Sequence, residues 1–197
     1  MSSALFLPMI VPLAVFAWGA LVFNRFIALR NRYQNAYAQI DVQLKRRYDL
    51  IPNLVAATRA ALAHERQTLE AVIAARQRAC DASQVARRRP HDGHALVALE
   101  AAETALATPL ARLVALVEQY PALKANDTVH RLVEELETTE NRIAFARQAF
   151  NDQVTGYNIE LESFPASLVG TLCGFRRANM LRPTGSAQER QPVAVAL

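Results

Sequence analysis

The chain has 197 residues, a net charge of +4 and a sequence pI of about 9.4. This length suits one domain with its own core better than two, and the mild positive charge permits an anionic partner without requiring one. Glycine is scarce and the two cysteines, Cys80 and Cys173, are widely separated. These features exclude a disulfide framework and a cysteine metal motif, favour a reducing compartment, and are typical of helix-forming sequences.

The first 24 residues contain no charged side chain. Within them, residues 4–23 read ALFLPMIVPLAVFAWGALVF, which is about the 20 apolar residues that cross a bilayer as one helix. A cleaved signal peptide is the alternative, but no basic residue precedes the apolar stretch. We therefore predict that residues 1–24 are an N-terminal membrane anchor.

Basic residues follow the apolar stretch directly and are absent before it. Arg25, Arg30 and Arg32 come within ten residues of its end. Cytoplasmic flanks of membrane helices are enriched in arginine and lysine. The asymmetry predicts a single-pass protein whose large C-terminal part is cytoplasmic.

Apolar residues then recur at steps of three and four in four series, over residues 26–48, 51–76, 96–120 and 129–164. This spacing is typical of amphipathic helices that pack on one another, and no sustained alternation predicts a strand. We predict an all-α fold, with an antiparallel up-and-down four-helix bundle of long helices over residues 25–165. Arg87–His94 and Tyr120–Asp127 read as loops, and Asn126, Asp127 or Thr128 is suited to cap the fourth helix.

Pro52 leaves two interpretations of the first part of this bundle. A helix that ends near Asp49 and restarts at Pro52 would make a hairpin, because the residue before proline avoids the α region. A single kinked helix over residues 26–86 is the alternative, since the apolar spacing continues through the proline and no glycine lies there. The hairpin is favoured. Pro109 is expected to kink the third helix or to mark its start.

Three consecutive cations, Lys45, Arg46 and Arg47, lie within the stretch QIDVQLKRRYDLIPNLV. On a straight helix, Lys45 would stand about 33 Å beyond the end of the predicted span, which is several Debye lengths. We expect solvated charge at a helix C-terminus, and the alternative is a membrane-distal surface for an acidic protein or a nucleic acid.

An up-and-down topology would return two further basic segments to the bilayer. The first is the loop with Arg87, Arg88 and Arg89. The second is residues 166–181, which are apolar and then basic at Arg176 and Arg177, and which can lie in the interface on anionic lipid. With Arg25, Arg30 and Arg32, these arginines are the candidate lipid-proximal residues. The alternative, slightly favoured, is that Leu168, Leu172 and Phe175 cap the bundle core.

The sequence offers little for catalysis. A di-iron bundle needs Glu-x-x-His on two helices, and the sequence has no such motif. His91, Asp92 and His94 cluster in a loop, but without a fourth ligand they read as a polar turn. We predict no enzyme activity, no metal and no cofactor. Residues 182–197 contain proline, glycine and serine without periodicity, and we predict a flexible tail.

Several motifs in order closely resemble the LemA family of bacterial membrane-anchored proteins. They are QIDVQLKRRYDLIPNLV, HERQTLEAVIAAR, VEQYPALKAND, ELETTENRIAFARQAFNDQV and YNIELESFP. The resemblance implies an N-terminal membrane helix, a cytoplasmic four-helix bundle, no known enzyme activity and no catalytic residue, with relatives among magnetosome-associated proteins. This chain departs from the family at Phe150-Asn151, where members commonly have Tyr-Asn, and after GFRRANML, where the usual aromatic-acidic ending is missing.

We therefore predict a scaffold or adaptor of the bacterial inner membrane that acts through contact with a protein partner. A membrane-remodelling or lipid-organising protein is the second hypothesis, and a metal-dependent or hydrolytic enzyme is the third. Nucleic acid is not favoured as a partner. Self-association is left open, although the span has no Gly-x-x-x-Gly pair.

Overall fold

A computed structural model describes residues 7–181 and is all-α over this range, as predicted. Its helices are α1 (Leu7–Thr58), α2 (Arg66–Arg88), α3 (Gly93–Gln119), α4 (Pro121–Lys124), α5 (Asp127–Glu162) and α6 (Ala166–Leu172), with one 3-10 turn at Ala63–Glu65. The predicted tail, residues 182–197, and the first residues of the predicted span lie outside the described range.

Helix α1 continues through Pro52 and ends at Thr58, so the favoured prediction of a helix break near Asp49 is wrong. The alternative of one helix to residue 86 is also wrong, because the chain turns over residues 59–65 before α2 begins. In a regular helix, the backbone N–H of residue 52 would donate to the carbonyl oxygen of Tyr48. Proline has no N–H, so Pro52 leaves that oxygen without its helical donor. Arg76 of α2 donates to that oxygen instead. The neighbouring helix thereby satisfies the acceptor, and α1 gains six further residues after the proline.

Two side chains fix the beginnings of the later long helices. Asp92 precedes α3 and its carboxylate accepts from the backbone N–H of His94 at 2.9 Å. Asn126 precedes α5 and its side-chain oxygen accepts from the N–H groups of Thr128 and Val129, which confirms one of the three predicted caps. Pro109 lies inside α3, so it does not mark the start of that helix.

Aromatic rings fill the contact between α1 and α5. Tyr33 packs its ring on those of Tyr157 and Phe150, at centroid distances of 5.3 and 6.4 Å. Tyr37 also meets Phe150, and Phe26 meets Tyr157. Residues from the middle of α1 thus contact late residues of α5. Helix α1 also contacts α2, and α2 packs on α3; the closed four-helix arrangement stays a prediction.

The apolar series predicted from the sequence form the core, with few exceptions. Twelve large side chains are almost wholly buried: Tyr157, Phe26, Phe150, Ile40, Leu44, Ile51, Leu54, Leu62, Leu96, Leu99, Leu106 and Leu113. The clearest exception is Phe164, the last residue of the fourth series, which is 83% exposed.

Candidate functional site

The two halves of α1 lie in different environments. From Ile10 to Leu21 its large apolar side chains are exposed, whereas Phe26 is fully buried. Among the described residues, this is the one helix long and apolar enough to cross a membrane, and its most apolar window has a mean hydropathy of 1.8 with only 6% of that window buried. The helix therefore changes from an exposed apolar rod to a core element between Leu21 and Phe26.

Helix α6 lies beside this transition and has two apolar sides. Its inner side carries Ala166 and Gly170, both buried, and a Cβ added at Gly170 would lie 2.6 Å from Leu161 Cδ1 and 3.5 Å from Phe26 Cζ. The outer side exposes Leu168 and Leu172. We call Phe164, Leu168 and Leu172 the proximal apolar face; their exposed fractions are 83%, 61% and 89%.

The favoured expectation for this segment is only partly right. Phe175 does close the end of the core, because its ring lies 5.6 Å from that of Phe23 and 4.9 Å from that of Phe26. Leu168 and Leu172 do not cap the core, since both project away from it. The short α6 presents only one side to α1 and α5, and that side is taken by Ala166 and Gly170.

Five of the predicted lipid-proximal arginines lie near this end or in the first turns after it. Arg25 pairs with Glu160 at 2.9 Å, and Arg177 pairs with Glu162 at 3.0 Å. Arg30, Arg32 and Arg176 are exposed and make no ion pair within the described residues. These three keep their full charge for an anionic surface.

The remaining predicted lipid-proximal residues, Arg87, Arg88 and Arg89, are exposed but lie further along the molecule. Arg87 approaches Asp41 of α1 at 3.6 Å. At about 1.5 Å per residue, Asp41 lies about 24 Å along the helix axis from Arg25, beyond a Debye length. Helix α2 has 23 residues, and the contact with Asp41 sets Arg87 beside the middle of α1. The return of this loop to the bilayer surface stays a prediction.

The three consecutive cations are divided between surface and core. Lys45 and Arg46 are exposed, but each has a carboxylate partner, Asp49 at 2.7 Å and Glu135 at 3.5 Å. Arg47 is 6% exposed, so the expectation of solvated charge is wrong for this residue. The helix also does not end here, since it continues to Thr58. A surface for an anionic partner stays a prediction for Lys45 and Arg46.

A buried charge cluster, defined by Arg47, Tyr48, Glu103 and Glu140, joins α1, α3 and α5. One guanidinium nitrogen of Arg47 lies 2.9 Å from Glu103 and 3.0 Å from Glu140. The Tyr48 hydroxyl donates to the other oxygen of Glu103. Glu103 is 6% exposed and Tyr48 4%. Breaking a buried, hydrogen-bonded pair leaves an uncompensated charge, so this cluster is a strong structural constraint.

Burial raises the pKa values of two tyrosines of α1 and one cysteine of α2. Burial, followed by the adjacent Glu103 carboxylate, raises the pKa of Tyr48 well above its usual range. Burial, followed by Asp41, raises the pKa of Tyr37 in the same direction. Burial also raises the pKa of the Cys80 thiol, which lowers its thiolate fraction and its reactivity. Burial is the largest cause of all three shifts. The shifts therefore do not indicate a nucleophile activated by a neighbouring base.

The histidine-rich loop takes a structural role. The Asp92 carboxylate caps α3 by accepting from the N–H of His94. The carbonyl oxygen of His91 accepts from the side-chain amide of Asn179 at 3.2 Å. Within residues 7–181, no group of three or more His, Cys, Asp or Glu side chains is placed to hold a metal ion.

Sequence reasoning missed two asparagines that hold the chain after α6. Residues 175–181 have no helix and run along α5. Asn158 bonds both the N–H and the carbonyl oxygen of Ala178, each at 3.0 Å. Asn151 bonds the N–H of Leu181 at 2.9 Å and its carbonyl oxygen at 2.8 Å. Both amides lie beside the apolar series of α5, where a buried polar side chain needs a hydrogen-bond partner. This position in the sequence could have predicted that each asparagine binds another segment.

A chain whose first helix is apolar and exposed in one half and part of a helical core in the other is typical of single-span, membrane-anchored helical proteins. The sequence model of the LemA family matches residues 36–196. The chain therefore belongs to the LemA family, and the resemblance is confirmed. Family membership and the exposed apolar helix together indicate membrane anchoring.

The relatives include magnetosome proteins. Magnetosome protein MamQ of Magnetospirillum gryphiswaldense is 28% identical over 181 residues, which cover 83% of this chain and 66% of that protein. Magnetosome proteins MamQ 1 and MamQ 2 of Paramagnetospirillum magneticum are each 36% identical over 90 residues, 45% of this chain and 33% of theirs. The chain thus matches less than two thirds of the length of these relatives. None of the names denotes an enzyme.

Proposed function

We propose that this chain is a non-enzymatic scaffold or adaptor, anchored by one span in the bacterial inner membrane, with an antiparallel up-and-down four-helix bundle in the cytoplasm. The observation that carries the proposal is the continuity of α1. The same helix exposes apolar residues up to Leu21 and buries Phe26, Ile40 and Leu54 further on. A bundle built on the extension of its own anchor is held close to the bilayer and rotates and diffuses with it.

The direction of insertion in this proposal follows from charge. Arg25, Arg30 and Arg32 flank the C-terminal end of the apolar half, and the positive flank of a span stays on the cytoplasmic side. The exposed pairs Lys45–Asp49 and Arg46–Glu135 then lie on the cytoplasmic surface, about 30 Å or more from the span. This distal surface is available to a protein partner without interference from lipid headgroups.

Proximity labelling tests the scaffold function directly. A labelling enzyme is fused to the C-terminus of the full chain, and the control is the same enzyme on an unrelated single-span anchor with its tail in the cytoplasm. We expect a reproducible set of proteins enriched on this chain over the control. A set identical to that of the control would contradict a scaffold function.

A second function, the organisation of anionic lipid, is favoured by the proximal apolar face. Phe164, Leu168 and Leu172 are exposed at the level where the apolar half of α1 ends, and Arg30, Arg32 and Arg176 bring unpaired charge to the same end. Apolar side chains with adjacent cations are what an interfacial helix offers to a bilayer. Each basic residue near an anionic surface contributes about 1 kcal/mol.

Native Cys173 provides the probe for this second function, because it is exposed and adjacent to Leu172. It is labelled with an environment-sensitive fluorophore in a Cys80→Ala chain, in nanodiscs with and without anionic lipid. The matched control is Val85→Cys, at an exposed position of α2, with both native cysteines removed. We expect a blue shift at position 173 that is greater with anionic lipid, and none at 85. Equal spectra at the two positions would refute lipid contact by α6.

A further inference from the structure

The segment after α6 is held mainly through its backbone. Asn158 and Asn151 make four hydrogen bonds to Ala178 and Leu181. The side-chain amide of each asparagine donates to one backbone carbonyl oxygen and accepts from the backbone N–H of the same residue. A third contact, from the Tyr157 hydroxyl to the carbonyl oxygen of Arg176, is 2.9 Å. Side chains that bond only the main chain constrain the conformation of a bound segment more than its sequence.

The spacing of the two asparagines matches an extended peptide. They are seven residues apart on α5, which is about 10.5 Å along the helix axis. Ala178 and Leu181 are three residues apart, which is about 9–10 Å in an extended chain. The spacing of the two asparagines on α5 therefore matches the spacing of every third residue in an extended peptide.

Side chains of the segment make contacts as well. Outside the groove, the exposed Asn179 donates to the carbonyl oxygen of His91 at 3.2 Å. Ala178 is 6% exposed and Leu181 is 1% exposed, whereas Met180, between them, is 47% exposed. Arg177, immediately before Ala178, pairs with Glu162 at 3.0 Å. The groove therefore takes a small residue and, three positions later, a leucine, with a basic residue before the small one.

The groove also needs an occupant. Asn158 is 6% exposed, and the partners of its side chain are the N–H and carbonyl of Ala178. A buried amide without partners loses its hydrogen bonds to water and gains none in return, which is unfavourable. The resident segment itself has no helix, and Gly174, at φ 73°, forms the turn that leads into it. Phe175 packs on Phe23 and Phe26 at the end of the core, so only the residues after it can open without disturbing the helices.

We propose that the Asn151–Asn158 groove is a peptide-binding site, occupied in this structure by residues 176–181 of the same chain. Its ligand is an extended segment of another polypeptide with the pattern Arg-Ala-x-x-Leu and with a free N–H at the alanine and the leucine. The resident segment competes with that ligand for the site. This proposal rests on the scaffold function and gives its partner a chemical class.

The test uses the full chain in nanodiscs and a fluorescent peptide of residues 175–181, FRRANML. Leu181→Glu in the chain removes the buried leucine of the resident segment and leaves the groove intact. We expect the peptide to bind this variant at least ten times more tightly than the unsubstituted chain, by fluorescence anisotropy. Adding Asn151→Ala and Asn158→Ala to the same variant is expected to abolish the binding. Equal affinity for all three chains would overturn the proposal.

A modified peptide tests whether the backbone is read. Methylation of the Ala178 nitrogen removes the donor to Asn158 without changing any side chain. We expect this peptide to bind the Leu181→Glu chain at least ten times more weakly than the unmethylated one. Equal binding of the two peptides would mean that the asparagines do not read the main chain, and the proposal would fail.

Hydrogen exchange gives a readout that needs no variant. In the unsubstituted chain, we expect the amides of Ala178 and Leu181 to exchange at least ten times faster than that of Val154 in the adjacent core. Exchange of all three at the same rate would mean that the segment leaves only on global unfolding, which contradicts a displaceable occupant. Failure of peptide binding while proximity labelling still enriches partners would reject this site and leave the scaffold function standing.

Discussion

Arg76 donates a hydrogen bond from its Nε to the backbone carbonyl oxygen of Tyr48, the acceptor that Pro52 leaves without its helical donor. The proline is therefore tolerated in the middle of α1 because a second helix supplies what its ring removes. This contact also joins α1 to α2 about three helical turns before α1 ends at Thr58.

The link between Arg76 and Pro52 predicts a coupled pair of substitutions. Arg76→Ala is expected to lower the free energy of unfolding by about 1–3 kcal/mol, because the Tyr48 carbonyl loses its donor. In a Pro52→Ala chain, the N–H of residue 52 can donate to that carbonyl oxygen. Arg76→Ala should then lower the free energy of unfolding by about 1 kcal/mol less than it does in the unsubstituted chain. Thermal unfolding followed by circular dichroism measures the cycle, with exposed Arg78→Ala as the control. If Arg76→Ala lowered the free energy of unfolding equally in the unsubstituted chain and in the Pro52→Ala chain, Arg76 would not be replacing the missing N–H donor of Pro52.

The buried charge cluster predicts a large effect for a single glutamate. Glu103→Ala leaves Arg47 with only the half-exposed Glu140 and leaves the Tyr48 hydroxyl without its acceptor. We expect a loss of about 3–5 kcal/mol in the free energy of unfolding. The matched control is Glu137→Ala, at an exposed position of α5, which should change the free energy of unfolding by less than about 0.5 kcal/mol. Similar melting temperatures for the two variants would show that the cluster contributes little.

The raised pKa values of Tyr37 and Tyr48 predict sensitivity to alkali. Each hydroxyl keeps its proton more tightly in the folded chain than in the unfolded one, where its pKa is about 10. Their contribution is complete below that pH and is lost as the pH rises through it toward the folded pKa. We expect the melting temperature to fall above about pH 10, and to fall less in Tyr37→Phe and Tyr48→Phe chains.

The two tyrosines should differ at neutral pH. The Tyr37 hydroxyl is buried and has no hydrogen-bond partner among the described residues, so its removal is expected to be neutral or slightly stabilising. Tyr48→Phe removes a donor to Glu103 and should lower the free energy of unfolding by about 1–2 kcal/mol. The same melting curves at pH 7 serve as the measurement, and a greater loss for Tyr37→Phe would contradict the assignment.

Two helical glycines provide a matched test of packing at the proximal end. Gly156 has open space around its would-be Cβ, whereas Gly170 faces Leu161 and Phe26. Gly156→Ala is expected to stabilise the chain by about 0.5–1 kcal/mol through helix propensity. Gly170→Ala should not yield this gain, because Leu161 must move to make room. Equal melting temperatures for the two variants would mean that α6 is not packed on α1 and α5.

The sequence was sufficient to predict the helices because they depend on local spacing. The series from Phe26 to Tyr48 and the Asn126 cap are patterns within a few turns, and both are confirmed. The course of α1 at Pro52 was not predictable, since it depends on Arg76, 24 positions later, whose guanidinium reads as a polar interruption of an apolar series.

The site residues were predicted less well for the same reason. Arg47 and its exposed neighbours Lys45 and Arg46 look alike in sequence, and only the approach of Glu103 and Glu140 makes one of them a core residue. The expected return of Arg87 to the bilayer followed from an up-and-down topology, whereas the length of α2, which is shorter than the buried half of α1, depends on where the chain turns.

We propose that α1 spans the inner membrane with its apolar half and holds the rest of the chain in the cytoplasm. Protease added to intact spheroplasts that express the chain with a C-terminal tag tests this directly. We expect the tag to survive until the membrane is permeabilised, and then to be lost. Digestion of the tag in intact spheroplasts would contradict the orientation, and with it the cytoplasmic surface that the scaffold function requires.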